Sequence, residues 1–176
     1  GRGLAPAPDA IAMQEVVLEM YVLVKERLKS WSLRRLVESE NEAGVEYFNV
    51  TAVRFGCASD LDKDTTYRFP TSQQGRHAIT VRRKRWAIVN THIESRDGSR
   101  DATKRRQDQL EWMSQLHVRD DLAADAFVLI GDFNLRPDQD SCLEGHGWED
   151  AWWQNEKKPG RAAWTWKGNQ SAQGQR

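Results

Sequence analysis

The chain has 176 residues, the length of one domain at about 100–200 residues per domain. Hydrophobic residues make up 39% and charged residues 30%, too apolar for a disordered tail and too polar for a membrane protein. Lys plus Arg is 26 and Asp plus Glu is 26, which excludes a globally basic nucleic-acid binder but leaves room for a local basic patch.

Residues 1–8 hold two of the five prolines and read as a linker or chain edge, with residues 9–176 as the domain. The first residues have no basic region followed by an apolar one, so no secretory signal is expected. Residues 9–30 have two readings. Ile11, Val16, Leu18, Val22, Val24 and Leu28 loosely suit a helical period. Asp9-Ala10-Ile11-Ala12-Met13 equally suits a short buried strand feeding a helix at about 17–30. Glu38–Gly44 is polar and acidic, a loop, and Glu46–Phe55 is rich in β-branched and aromatic residues, a strand. Arg76–Val81 and Arg85–Asn90 read as two strands flanking the basic turn Arg82-Arg83-Lys84. Polar Thr91–Ala102 follows as a loop. Thr103–Leu116 places Leu110, Met113 and Leu116 three residues apart and predicts an amphipathic helix. Ala126-Phe127-Val128-Leu129-Ile130 is a buried strand ending at Gly131-Asp132. Strands alternating with helices predict a layered α/β domain. From Gly145 onward the chain carries five of the eight tryptophans and ends polar, so the domain is expected to continue beyond it. No apolar run approaches the ~18 residues of a membrane span. Cys57 and Cys142 are the only cysteines and show no CxxC spacing, which argues against a disulfide framework or zinc site and for a reducing compartment.

Polar residues cluster where apolar strands end. Val128-Leu129-Ile130-Gly131-Asp132-Phe133-Asn134 delivers a carboxylate and an amide two residues apart, on the same side if the backbone stays extended. A carboxylate there can orient a water or hold a metal, and an amide can donate to a developing oxyanion; an Asx turn that merely ends the strand is the other reading. Asn90-Thr91-His92-Ile93-Glu94-Ser95 again follows an apolar strand, making His92 a candidate for phosphate contact or proton handling, or simply a satisfied buried histidine. Met13-Gln14-Glu15 ends a short apolar run with a carboxylate suited to Mg²⁺, or with an exposed Glu. Residues 76–106 carry ten Lys and Arg against Glu94, Asp97 and Asp101. That excess suits a phosphate backbone lying on one face, or a solvated turn and helix face. Trp164-Thr165-Trp166, after Lys157-Lys158-Pro159-Gly160-Arg161, can stack a base or fill a core.

In the order QE, THxES, GDFN these motifs resemble the endonuclease/exonuclease/phosphatase superfamily. Within it they are similar to the 5′-tyrosyl-DNA phosphodiesterases, on Leu135-Arg136 after GDFN and Glu94-Ser95 after the histidine. Phe69-Pro70-Thr71-Ser72 with Arg76, Arg106 with Gln109-Leu110, and Trp148-Glu149-Asp150-Ala151-Trp152 leading to Thr165-Trp166 extend the likeness over residues 9–169.

The resemblance implies a four-layer α/β sandwich with two packed mixed β-sheets, and a strand at residues 10–14. By the same likeness Glu15 would hold Mg²⁺, with Mn²⁺ as an alternative. Asp132 would activate water, Asn134 would bind the phosphate and His92 would help position it. Arg106 and Trp166 resemble residues of the DNA channel, Ser95 and Arg76 belong to the substrate-binding motifs, and Tyr47 is a looser match. The implied reaction is hydrolysis of a 5′-phosphotyrosyl linkage in DNA that bears a protein or peptide adduct. A monomer in the nucleus or cytoplasm, without a membrane partner, is expected; Arg82–Arg85 is a weak basic targeting candidate.

The chain departs from the family pattern in two places. It starts after the family's strand with a catalytic Asn, and it contains no Ser-Asp-His; the one histidine after Asp132 is His146. A fragment of an active enzyme, or a domain lacking terminal strands and of weak turnover, is therefore expected. Loss of one preorganised donor typically costs ~10²–10³ in rate. The other readings are an abasic-site endonuclease or small-molecule phosphatase of the same superfamily, and a non-catalytic DNA-binding scaffold.

Overall fold

The structure is a computed structural model and describes residues 8–36, 47–54, 61–83, 86–95, 99–116, 126–135, 148–149 and 151. Cys57, Cys142, Trp164, Trp166, the 38–44 loop and most of the 1–8 linker lie outside the described residues. In chain order the elements are β1 (Ala10–Val17), α1 (Leu18–Arg27), β2 (Trp31–Leu36), β3 (Tyr47–Arg54), β4 (Leu61–Arg68), β5 (His77–Arg83), β6 (Trp86–His92), α2 (Arg100–Ser114) and β7 (Ala126–Asp132).

Two sheets form among the described residues, one ordered β1-β3-β2 and one ordered β4-β5-β6-β7. The first is antiparallel throughout. The second is mixed, because β7 pairs with β6 in parallel. That parallel pair requires the crossover that α2 supplies. β3 is buried along its length because it is sandwiched: Phe48 and Val50 face Tyr21 of α1, while Val53 packs with Ile79 and Val81 of β5. On the far side, Leu110 and Met113 of α2, with Leu116 just beyond its end, close over Phe69, Ala78, Val89 and Ile93. The layers therefore run α1, sheet, sheet, α2, a four-layer α/β sandwich.

The chain pattern predicts most of these boundaries to within a few residues. α2 begins at Arg100, ahead of the expected Thr103, because the Ser99 side chain accepts from Ala102 N at 3.0 Å and caps the helix. β6 and β7 run on to His92 and Asp132 because parallel pairing continues through His92↔Asp132. Two strands in which polar and charged residues interrupt the apolar ones escape the sequence reading: β2, Trp-Ser-Leu-Arg-Arg-Leu, and β4, Leu-Asp-Lys-Asp-Thr-Thr-Tyr-Arg. Both stand at sheet edges among the described residues, where a strand has one neighbour and tolerates polar residues. Residues 9–30 resolve as strand then helix. α1 buries no residue and leaves Leu18, Met20, Val22 and Leu23 exposed. Among the described residues no helix is long and apolar enough to cross a membrane.

Candidate active site

β6 alternates: Val89 and, just past its end, Ile93 are buried toward α2, while Asn90 and His92 face the other sheet. Asn90, fully buried, ties the two sheets beneath the rim. Its Nδ2 lies 2.9 Å from Val50 O, and its Oδ1 accepts from Gln14 Nε2 at 2.6 Å. The next residue of β1 is Glu15. Pairing of β1 with β3 slips between Met13 and Val16, and Glu15 takes φ 54°. An L-residue in that left-handed region costs about 1–2 kcal/mol, and the bulge re-aims the side chain out of the ladder. Glu15 is thereby turned to the rim, its Oε1 4.0 Å from His92 Nδ1.

His92 and Asp132 end neighbouring strands in direct register, with His92 Nε2 3.8 Å from Asp132 Oδ2. Gly131 precedes the carboxylate because nothing larger fits: a Cβ there would lie 1.9 Å from Thr91 O. After Asp132 the strand ends. Asn134 takes φ 47°, its N–H donates to Asp132 Oδ1 at 2.9 Å, and its Nδ2 donates to Ile93 O at 3.3 Å. Asp132 and Asn134 are thus brought together by an Asx turn and not by an extended backbone. Asn is among the residues that tolerate this conformation.

Arg76 reaches the same place from the β4–β5 turn, which Gly75 closes at φ 67°. Its Nη1 lies 2.9 Å from His92 Nδ1, Nε and Nη2 donate to Gln74 Oε1, and the guanidinium sits 5.6 Å from the Tyr47 ring centroid. A guanidinium only donates. His92 Nδ1 is therefore the bare nitrogen, and the proton of the neutral ring sits on Nε2, facing Asp132. Burial and the Arg76 charge push the His92 pKa down to about 4, against the pull of Asp132.

Three sequence expectations change here. Arg76 is 2% exposed and meets His92 from behind, so it orients that ring and does not stand open to substrate. Arg106 is 0% exposed, donating to Ser95 O at 3.1 Å and Thr103 Oγ1 at 3.2 Å; it braces the rim from inside instead of lining a DNA channel. Both count among the ten cations of 76–106, so part of that basic stretch is interior. Ser95 is held by Gln74, whose Oε1 accepts from Ser95 N at 2.9 Å. Glu15, His92, Asp132, Asn134, Arg76, Ser95 and Tyr47 all gather at or just beneath this rim; Trp166 lies outside the described residues. Asn90 and Gln74 were missed, although a lone polar residue closing an apolar strand, as Asn90 does, is a readable signal.

Among the described residues no three His, Cys, Asp or Glu side chains form a ready metal cage. Mg²⁺ does not need one, since it usually takes one or two carboxylates and keeps several waters. The exposed Glu15 carboxylate on its bulge fits that use.

This sandwich is the endonuclease/exonuclease/phosphatase fold, as in a Bacteroides vulgatus protein of that name, to which the chain is 14% identical at a TM-score of 0.57, covering 78% of this chain and 56% of that one. The chain is also similar to TDP2. Against D. rerio TDP2 complexed with a single-strand DNA product it is 23% identical with a TM-score of 0.65, over 86% of this chain and 59% of that one. Against truncated Caenorhabditis elegans TDP2 the values are 23% and 0.59, over 75% and 52%. The chain thus spans between half and three fifths of these two TDP2 chains. No protein-family model and no curated protein matches it.

Proposed function

We propose that the chain carries the catalytic rim of a metal-dependent phosphodiesterase that hydrolyses 5′-phosphotyrosyl linkages in DNA. The observation that carries this reading is the position of His92 between two carboxylates, 4.0 Å from Glu15 and 3.8 Å from Asp132. The motifs Thr91-His92-Ile93-Glu94-Ser95 and Gly131-Asp132-Phe133-Asn134-Leu135-Arg136, with the likeness to TDP2, support the tyrosyl substrate over other phosphate esters.

Each residue has a role its surroundings allow. Asp132, half exposed and held by the Asn134 N–H, accepts the proton of an attacking water. His92 stays neutral near pH 7 and offers Nε2–H to a phosphate oxygen. Asn134 Nδ2 can turn from Ile93 O to the same phosphate. The Arg76 charge, whose described partners are the neutral Gln74, His92 and Tyr47 side chains, favours an anion at the rim. Glu15 would hold Mg²⁺ or Mn²⁺, and a divalent ion there offsets charge that builds on the phosphate. Exposed Arg100 and Lys104 on α2 suit the DNA backbone.

The test is incubation of the full-length protein with Mg²⁺ and an oligonucleotide carrying a 5′-phosphotyrosine. Tyrosine release is expected, falling ~10²–10⁴-fold in Asp132→Asn. Absence of release by the wild-type protein overturns the reading. A panel of abasic-site DNA and sugar and inositol phosphates separates the other phosphoesterase activities, and DNA binding indifferent to Asp132→Asn with no turnover would mark a scaffold.

A further inference from the structure

Behind the rim lies a carboxylate that this chemistry does not use. Glu94 is 2% exposed, although it stands only two residues beyond His92. An ionised carboxyl taken out of water must be met by donors. It is met from two separate parts of the chain. Ser72 Oγ donates to Oε2 at 2.7 Å and Gln73 N to Oε1 at 3.2 Å, both from the β4–β5 turn. From α2, Gln109 Nε2 approaches Oε2 at 3.3 Å and Arg105 Nε approaches Oε1 at 3.5 Å. Gln109 completes the clamp by accepting from Glu94 N at 2.9 Å.

The turn so held is the one that delivers Arg76. Ser72 Oγ donates to Glu94 and accepts from Arg76 N at 2.8 Å. Arg76 Nη1 in turn donates to His92 Nδ1 at 2.9 Å. The shortest contact to Glu94 is the Ser72 link, and a hydrogen bond to an ionised acceptor is about twice as strong as a neutral one. A continuous path thus joins a buried anion to the ring nitrogen that must stay bare if Nε2–H is to face Asp132. A carboxylate serving only to pair with Arg105 would not need its shortest contact on the turn.

We propose that Glu94 is a positioning residue that holds His92 in the Nε2–H tautomer, acting through Ser72 and the backbone and guanidinium of Arg76. Its effect on turnover rests on the phosphodiesterase reading; its effect on the ring does not.

The two are separated by observing the ring directly. In metal-free protein at pH 7.5 with ¹⁵N-labelled histidine, the His92 signals, assigned by difference against His92→Gln among the four histidines, report which nitrogen carries the proton. The wild-type protein is expected to show Nδ1 bare and Nε2 protonated. Glu94→Gln is expected to give a mixture of tautomers while still melting cooperatively. Ser72→Ala, which cuts the path at a half-buried turn residue and leaves the carboxylate in place, is expected to do the same. With the phosphotyrosyl substrate, kcat should fall about 10–100-fold with KM nearly unchanged. If either folded variant keeps the wild-type Nε2–H signature, the proposal is overturned; if Glu94→Gln does not fold, Ser72→Ala decides alone. A ring that loses its single tautomer in a protein without phosphodiesterase activity upholds the positioning role and overturns the phosphodiesterase reading.

Discussion

Gly131 and His77 each tie one position to a measurable property. At Gly131 the approach of the Thr91 carbonyl leaves no space for a methyl, and the β6–β7 register that aligns His92 with Asp132 depends on it. Gly131→Ala should cost about 3 kcal/mol or more in a denaturant melt, since overpacking and backbone strain add. His77 is buried, and burial together with the nearby Arg68 charge lowers its pKa below the usual 6.5, while the Gly75 backbone opposes them. A histidine held neutral in the folded state is protonated on unfolding, so between the folded pKa and 6.5 the unfolded chain binds more protons. Stability is therefore full above pH 6.5 and declines as pH falls below it. Each such histidine contributes at most about 1.4 kcal/mol per pH unit. His92, lowered to about 4, acts in the same direction. Stability measured from pH 7.5 to 5 should fall less steeply in His77→Asn than in the wild type.

β7 shows how alternation along one strand divides its duties. Phe127 and Leu129 pack toward α2, whereas Val128 and Ile130, on the opposite face, are 44% and 38% exposed. Leu129→Ala should cost about 2–4 kcal/mol and Val128→Ala clearly less, because only the first empties a packed site; parallel denaturant melts make the comparison. α1 departs from the usual pattern of a helix buried along one face. Its contact with the sheet is edge-on packing of Tyr21 against Phe48 at 5.6 Å, and Leu18, Met20, Val22 and Leu23 stay in the open. Helical periodicity in that segment describes the local conformation and not a core.

Across the folded chain, charge is distributed differently from what its linear order implies. The described cations of residues 76–106 include interior braces, such as Arg76 and Arg106, and exposed groups, such as Arg100 and Lys104. The two kinds should respond differently to alanine. Arg106→Ala should lower stability by about 2–3 kcal/mol through its lost hydrogen bonds, whereas Arg100→Ala with Lys104→Ala should leave the melt unchanged. If these two cations meet the DNA backbone, the double variant should reduce the slope of log affinity for single-stranded DNA against log salt by about 0.7 per lost contact. A salt titration by fluorescence anisotropy, with the melts beside it, reads both.

The strand-end motifs were legible in the chain because an apolar run followed by Asp132, His92 or Glu15 places a polar group at a sheet rim, and that relation is local. The helix carrying Leu110 and Met113 and the strands β3, β5, β6 and β7 were legible for the same reason: their apolar spacing lies within a few residues, whereas the Ser99 cap that starts the helix at Arg100 was not read. Strands β2 and β4 were not, since polar and charged residues interrupt the apolar ones in both. Nor could spacing show that Arg76 and Arg106 lie inside, that Glu15 is aimed by a bulge, or that Glu94 serves the turn carrying Arg76. Those outcomes depend on which groups meet across about ten to eighty positions of chain. Burial, hydrogen-bond satisfaction and the protonation of an imidazole are properties of the neighbours in space, and the neighbours exist only after the sheets have packed.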